Sequence, residues 1–279
     1  MSDPAASTTR AGARRGARAR RRASAVATAV GVLGELLITL GVLLGLFVVW
    51  QLWWTDVVAD RGQAEIVEDL GWVEPTFPPR ALPTDEATEP PDPRRYDAAP
   101  VLGEPAVRTT FATLRVPRWG EDYVRPVSQG TSRSEVLDEL GIGHYEGTAM
   151  PGGVGNFAVA GHRVTYGKPF NRIEELQVGD PLVVQTEDTW YVYRVTSTEI
   201  VSPQQVEVIA PVPGRPGSAP TQAAMTMTTC HPMYSARERY VVHALLDYWM
   251  PSDAGAPAEL DPAQGTEQGT EQTPTNGDA

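Results

Sequence analysis

The sequence predicts an all-β domain, a closed or partly closed barrel with one or two short helices, preceded by a single membrane-spanning helix. Three observations carry this expectation. Between residues 106 and 250 the chain divides into short stretches in which apolar and polar residues alternate, rich in β-branched and aromatic side chains. Only SRSEVLDELG, residues 132–141, reads as a clear helix there. Far upstream, LLITLGVLLGLFVVWQLWW, residues 36–54, carries no formal charge.

The membrane segment comes first. Nineteen helical residues at about 1.5 Å rise span about 28 Å, close to the thickness of a bilayer core. Trp50, Trp53 and Trp54 gather at one end, where an aromatic belt meets the lipid–water boundary. Seven arginines lie within the first 22 residues. The positive-inside rule therefore places an Arg-rich tail, residues 1–30, in the cytoplasm, a transmembrane helix over 31–54, and the rest outside the cell. A cleaved signal peptide would have a shorter apolar core and end in small residues rather than tryptophans.

Residues 55–105 read as a juxtamembrane segment and stalk. A short polar helix is expected over 59–74, and nine prolines fall between Pro75 and Pro105. Such density favours extended, solvated chain. The end, residues 251–279, contains GTEQGTEQ and few large apolar side chains, so it is expected to be a disordered tail. The net charge of -12 argues against a nucleic-acid partner.

The strands expected in the remaining domain are VRTTFATLRVP, GNFAVAGHRV, PLVVQT, TWYVYRVTSTEIVS, AAMTMTTC and RYVVHALLDYW. Six or more strands with little helix suggest a barrel. In SRSEVLDELG, Ser132 is the N-cap candidate, Val136, Leu137 and Leu140 form the apolar face, and a glycine closes the helix. NRIEELQVGD adds one helical turn.

The chain has one cysteine, Cys230, and an exported protein with a single thiol has no internal disulfide to make. Cys230 is then either a small buried hydrophobe or a thiol in use. It ends the run AAMTMTTC, just before His231-Pro232, which puts it at a strand end opening onto a loop. A nucleophilic thiol needs a base or cation nearby. Of the four histidines, His162 ranks first, because it ends another apolar strand. His231, adjacent to Cys230, points to the opposite face. His243 suggests a structural role, and His144, in a Gly-rich loop, a surface or hydrogen-bonding one. Arg239 opens the next strand and can return near Cys230, with Arg237 as its competitor. No acidic cluster has metal-ligand spacing, and no cofactor is called for.

TMTTC followed by Arg239 resembles the TLxTC…R signature of sortases, with Met227 in place of the usual Leu, a volume-conserving swap. GNFAVAGHR resembles the segment that carries their catalytic histidine. The strings AGHRVTYGKPFNRI and TTCHPMYSARERYVVHA look most like class E sortases of high-GC Gram-positive bacteria. The resemblance covers residues 106–250 and implies a closed sortase barrel. It also implies a cysteine transpeptidase that cleaves the Thr–Gly bond of an LAxTG- or LPxTG-like motif near the C-terminus of secreted proteins. The acyl group would pass through a Cys230 thioester to an amine of a peptidoglycan precursor. By the same resemblance His162 is the general acid and base, and Arg239 steadies the substrate carbonyls and the oxyanion. The alternative is a non-catalytic, membrane-tethered β-domain that binds the wall or a partner protein.

Overall fold

A computed structural model describes residues 8–77 and 92–261. The chain forms two units, one up to Trp54 and one from Thr55 onward. From Thr8 onward the first is helix, part of α1 (Thr8–Asp69). From Ala27 onward α1 is long and apolar enough to cross a membrane. Leu36, Ile38, Leu43 and Phe47 are all exposed, as suits a helix that is apolar on every side. Its backbone bonds are internal to the helix, which a hydrocarbon surrounding demands.

The second unit is a closed barrel of eight strands: β1 (Thr110–Arg115), β2 (Val124–Gln129), β3 (Ile142–His144), β4 (Gly155–Ala160), β5 (Pro181–Gln185), β6 (Thr189–Val201), β7 (Ala223–His231) and β8 (Glu238–Pro251). Around the barrel the order is β1-β2-β3-β4-β7-β8-β6-β5. The expected barrel is therefore present, and six of its strands lie where alternation placed them. Two strands escaped that reading. β2 contains Pro126, which removes a ladder donor and demotes any run on sequence grounds. β3 has three residues, too few to show a period. Closure is the physical gain, since a barrel leaves no edge open to other chains.

Alternate residues fill the interior. Leu114, Ile142, Phe157, Val159, Met225, Met227 and Val242 belong to one buried cluster. Burying each such side chain contributes about 1.5–3 kcal/mol. The long β6–β8 ribbon slips register between Val192 and Tyr193 and between Val195 and Ser197, irregularities that let it coil around the core. The expected helix is a π-turn, Arg133–Leu137, continued by α2 (Asp138–Leu140), and it stops at Gly141 with φ +92°, a conformation that favours glycine. The turn expected in NRIEELQVGD is a 3-10 turn at Ile173–Glu175.

Three expectations need correction. The helix expected over 59–74 is the end of α1 itself and stops at Asp69. The Pro-rich stretch stays largely exposed over residues 92–105, as expected of solvated chain, but it does not stand free, because contacts hold it along the barrel. There Arg95 exchanges two backbone bonds with Trp249, Pro100 O accepts from Tyr191 Oη at 2.7 Å, and Glu104 accepts from Gln129 at 2.7 Å. Proline suits this path, since each contributes only an acceptor. Likewise the folded unit does not end at 250. Short turns at Ser252–Ala254 and Ala258–Leu260 follow, Leu260 packs against the buried cluster that contains Trp190 and Tyr248, and Glu259 accepts from Tyr248 Oη at 2.5 Å and pairs with Arg194. The rest of the expected stalk, 78–91, and of the expected disordered tail, 262–279, lies outside the described residues, as do residues 1–7 of the Arg-rich tail.

Of the surface and hydrogen-bonding roles expected for His144, the structure shows the second. The residue is fully buried in β3, stacked near Phe157, with Nδ1 2.7 Å from Gln129 Oε1 and Nε2 2.9 Å from Thr148 Oγ1. Burial pushes its pKa below the ordinary imidazole value, and the bond with Ala149 O and the nearby Glu104 oppose this only in part. The unfolded chain therefore binds the proton more readily. Stability should fall as the pH drops below about 6.5, and level off once the folded-state pKa is passed. Urea unfolding at about pH 7.5 and about pH 5.5 tests this: the wild type should lose more stability between them than His144→Gln does.

Candidate active site

Faces decide which side chains can meet. On β7, Met225 and Met227 point into the core, so Thr226, Thr228 and Cys230 form the outward row. On β4, Phe157 and Val159 point inward and Ala158 and Ala160 outward. On β8, Val242 and Ala244 point inward, and Arg239, Val241 and His243 outward. The outward row of β7 is tied down for most of its length. Thr226 Oγ1 lies 2.8 Å from Asn156 Oδ1 and 2.9 Å from His243 Nδ1, and Thr228 Oγ1 lies 3.0 Å from Tyr145 Oη.

Cys230 ends that row as a free, partly exposed thiol, not a sealed hydrophobe. Its antiparallel partner across β7–β8 is Arg239. Directly opposed residues share a face, with Cβ atoms about 4.5–5.5 Å apart. The Arg239 guanidinium is braced by the loop before it, Nη1 donating to Ala236 O and Glu238 O, both at 2.9 Å. Arg237, the competitor, precedes the strand, with its side chain 74% exposed and 3.9 Å from Glu238.

His162 reaches the same rim from the other side. β4 and β7 are parallel, with Ala160 beside Thr228. The pairing continues past the strand, for Gly161 N donates to Thr228 O at 3.2 Å and Thr229 Oγ1 donates to Gly161 O at 2.7 Å. One step further places His162 beside Cys230. Only glycine fits at 161, where an added Cβ would lie 2.8 Å from the Phe170 ring. Cys230 on β7, Arg239 on β8 and His162, two residues past the end of β4, thus come to one end of the barrel's outer face.

A fourth group joins them. Asp138, in α2, lies 2.6 Å from His162 Nε2 through Oδ1. A carboxylate there fixes the ring's orientation and leaves Nδ1 for a reacting partner. No local pattern links this pair, because 24 residues separate them and the β2–β3–β4 pairing brings them together.

Comparisons with known proteins give the family. The sortase-domain family profile matches residues 114–247. Sortase SrtE2 of Streptomyces coelicolor is 38% identical over 221 residues, covering 75% of this chain and 79% of the relative. The chain belongs to the sortase family. Sortase SrtE1 of the same organism is 37% identical over 236 residues, which cover 82% of this chain; the sortase described here spans 60% of that relative's length. The crystal structure of Sortase E1 from Streptomyces coelicolor, with a tripeptide in the active site, matches with a TM-score of 0.51 at 38% identity, covering 55% of this chain and 96% of that one.

Beneath Cys230 of this sortase, on the opposite face of β7, lies a second charged group. Arg163 is 2% exposed and its Nη1 donates to Cys230 O at 3.3 Å. Its Nη2 pairs with Glu174 Oε1 at 2.8 Å, and the same oxygen lies 3.1 Å from His231 Nδ1. The guanidinium carbon also stands 5.8 Å from the centre of the Tyr240 ring. His231 therefore belongs to this shelf and not to the thiol's face, as the strand alternation predicts. Arg163 holds the Glu174 carboxyl below its ordinary pKa, with His231 adding to the effect. Sequence reasoning missed both Arg163 and Glu174.

The shelf is asymmetric, since Arg163 is buried while Glu174 is half in water. Removing Glu174 leaves a buried cation without its counter-ion. Glu174→Ala should cost about 1–2 kcal/mol, less than the about 3–5 kcal/mol of a fully buried pair because water screens the exposed partner. Chemical denaturation at neutral pH measures it. No loss of stability would mean that the shelf does not hold the end of β7.

Proposed function

We propose that this sortase is a membrane-anchored cysteine transpeptidase that cleaves a C-terminal sorting motif of secreted proteins and transfers them to a peptidoglycan amine. The observation that supports the reading is the pairing of Cys230 with Arg239 across β7–β8, with His162 just past the end of the neighbouring β4 on the same outward side. The tripeptide in the active site of Sortase E1 supports a peptide substrate. The motif is LAxTG- or LPxTG-like, cut between Thr and Gly.

The steps follow from the groups present. The Cys230 sulfur, as thiolate, attacks the threonine carbonyl carbon, and the carbonyl oxygen takes the negative charge. Arg239 supplies fixed positive charge and donors for that oxygen. As the intermediate collapses the C–N bond breaks, protonated His162 gives its proton to the leaving amine, and a thioester remains. The acceptor amine then attacks the thioester carbonyl, its proton passes to His162, and the thiolate leaves. Asp138 holds the imidazole for both transfers. Seven arginines before an apolar run favour a cytoplasmic N-terminus, with the barrel on the outer side of the cell membrane, where such substrates and acceptors are found.

Peptide cleavage assays on the full chain test this reading. Cys230→Ala and His162→Ala should each abolish turnover of an LAxTG peptide, and Arg239→Ala should lower kcat by about 10²–10³. All should retain the wild-type circular dichroism spectrum. Full turnover in either of the first two variants would falsify the assignment. A tethered binding domain predicts instead a thiol whose labelling is indifferent to added motif peptide.

Asp138→Asn keeps the shape but removes the charge. It should lower kcat by about tenfold or more while leaving thiol labelling of Cys230 intact. Unchanged kcat would remove Asp138 from the site.

A further inference from the structure

The loop that follows His162 is in an unusual conformation. Tyr166, Gly167 and Lys168 have φ of +54°, +74° and +35°, three successive left-handed residues of which two are not glycine. Such backbone persists only where its surroundings over-determine it. Part of the restraint is local, as in the bond from Lys168 N to Thr165 O at 2.9 Å. The rest comes from the last turns of α1, residues 55–69, which belong to the same compact unit as the barrel.

Asp56, Asp60 and Gln63 are spaced four and three residues apart, so they share one face of α1. Each meets the loop or its support. Lys168 Nζ donates to Asp56 Oδ2 at 3.0 Å. Arg125 Nη2 donates to Asp60 Oδ1 at 2.9 Å and to Gly167 O at 3.4 Å. Gln63 Nε2 donates to Tyr166 O at 3.0 Å.

Gln63 is the centre of this contact. It has no exposed surface. Its amide lies against two glycines, and a Cβ at Gly141 or at Gly167 would come within 2.9 Å of it. Gly141 closes α2, the segment that carries Asp138, and Asp138 holds His162 Nε2. Gly167 follows Tyr166, whose ring lies 5.2 Å from the His162 ring. The Gln63 amide is thus wedged between the two segments that orient the imidazole. Its Oε1 is buried with no hydrogen-bond partner among the described residues. A polar side chain kept at that cost fixes a direction, which an apolar filler of equal volume would not do.

We infer that Gln63 is a positioning residue for His162, and that the juxtamembrane turns of α1 are a working part of the catalytic domain. This rests on the proposed role of His162. Loosening the wedge frees the loop and α2 together, so the ring loses its alignment with the thiol and the amines, and the proton transfers slow.

The test uses the full chain in detergent micelles, comparing wild type with Gln63→Met, which keeps the volume and loses the bond to Tyr166 O. Two quantities are read: steady-state kinetics on an LAxTG peptide, and hydrogen exchange by mass spectrometry over residues 138–143 and 162–171. Expected are a fall in kcat of about tenfold, a KM within about twofold of wild type, and faster exchange in both segments with β6 and β8 unchanged. Unchanged exchange overturns the wedge, and faster exchange at wild-type kcat overturns the positioning role. Should Gln63→Met fail to fold, Asp60→Asn, at a more exposed position, gives the same two readings and is decided by the same outcomes. A wild-type chain that cleaves no motif peptide overturns the transpeptidase reading instead, and the exchange data then decide alone whether Gln63 holds the loop.

Discussion

The parallel pairing of β4 with β7 is the constraint on which the site depends. These strands run side by side from Gly155 beside Ala223 to Ala160 beside Thr228. The Thr229 hydroxyl carries the pairing past the strand end by binding Gly161 O. Because strand side chains alternate with period two, a slip of one residue would turn Cys230 into the core and a methionine out to solvent. The packing of Met225 and Met227 inside the barrel therefore fixes which way the thiol faces. The antiparallel β7–β8 ladder then fixes the arginine by the same rule. The rim is a consequence of register, and register is a consequence of the core.

Much of this was legible in the sequence because the information is local. The alternating runs mark six strands, and the strand-end positions of Cys230 and His162 follow from where each run stops. Arg239 could be preferred over Arg237 because it abuts the apolar run YVVHALL. What could not be read depends on contacts between distant segments. Asp138 lies on a short helix whose pattern shows only an apolar face and a cap. Arg163 and Glu174 carry no mark in the sequence pattern until the fold stacks them under β7. β2 and β3 are concealed by Pro126 and by brevity.

The errors at the two ends of the barrel share one physical origin. Composition reports how much apolar surface a segment can bury, and the stretches at 92–105 and 251–261 can bury little. A few directional contacts suffice to hold them: the Arg95–Trp249 backbone bridge, the Pro100 carbonyl, Leu260 in its apolar contact and Glu259 between Tyr248 and Arg194. Such anchors cost little chain entropy when the barrel already presents the partner, and no average over a window of sequence registers them.

Building the proposed reactive groups on the barrel's outside has an evolutionary consequence. The residues that decide whether the chain folds and those that decide what it meets point in opposite directions from the same strands. Loops bordering the rim can drift, lengthen or exchange charge without opening a cavity in the packed centre. A lineage built this way can acquire new clients by altering the walls around an unchanged thiol, with stability largely insulated from that experiment.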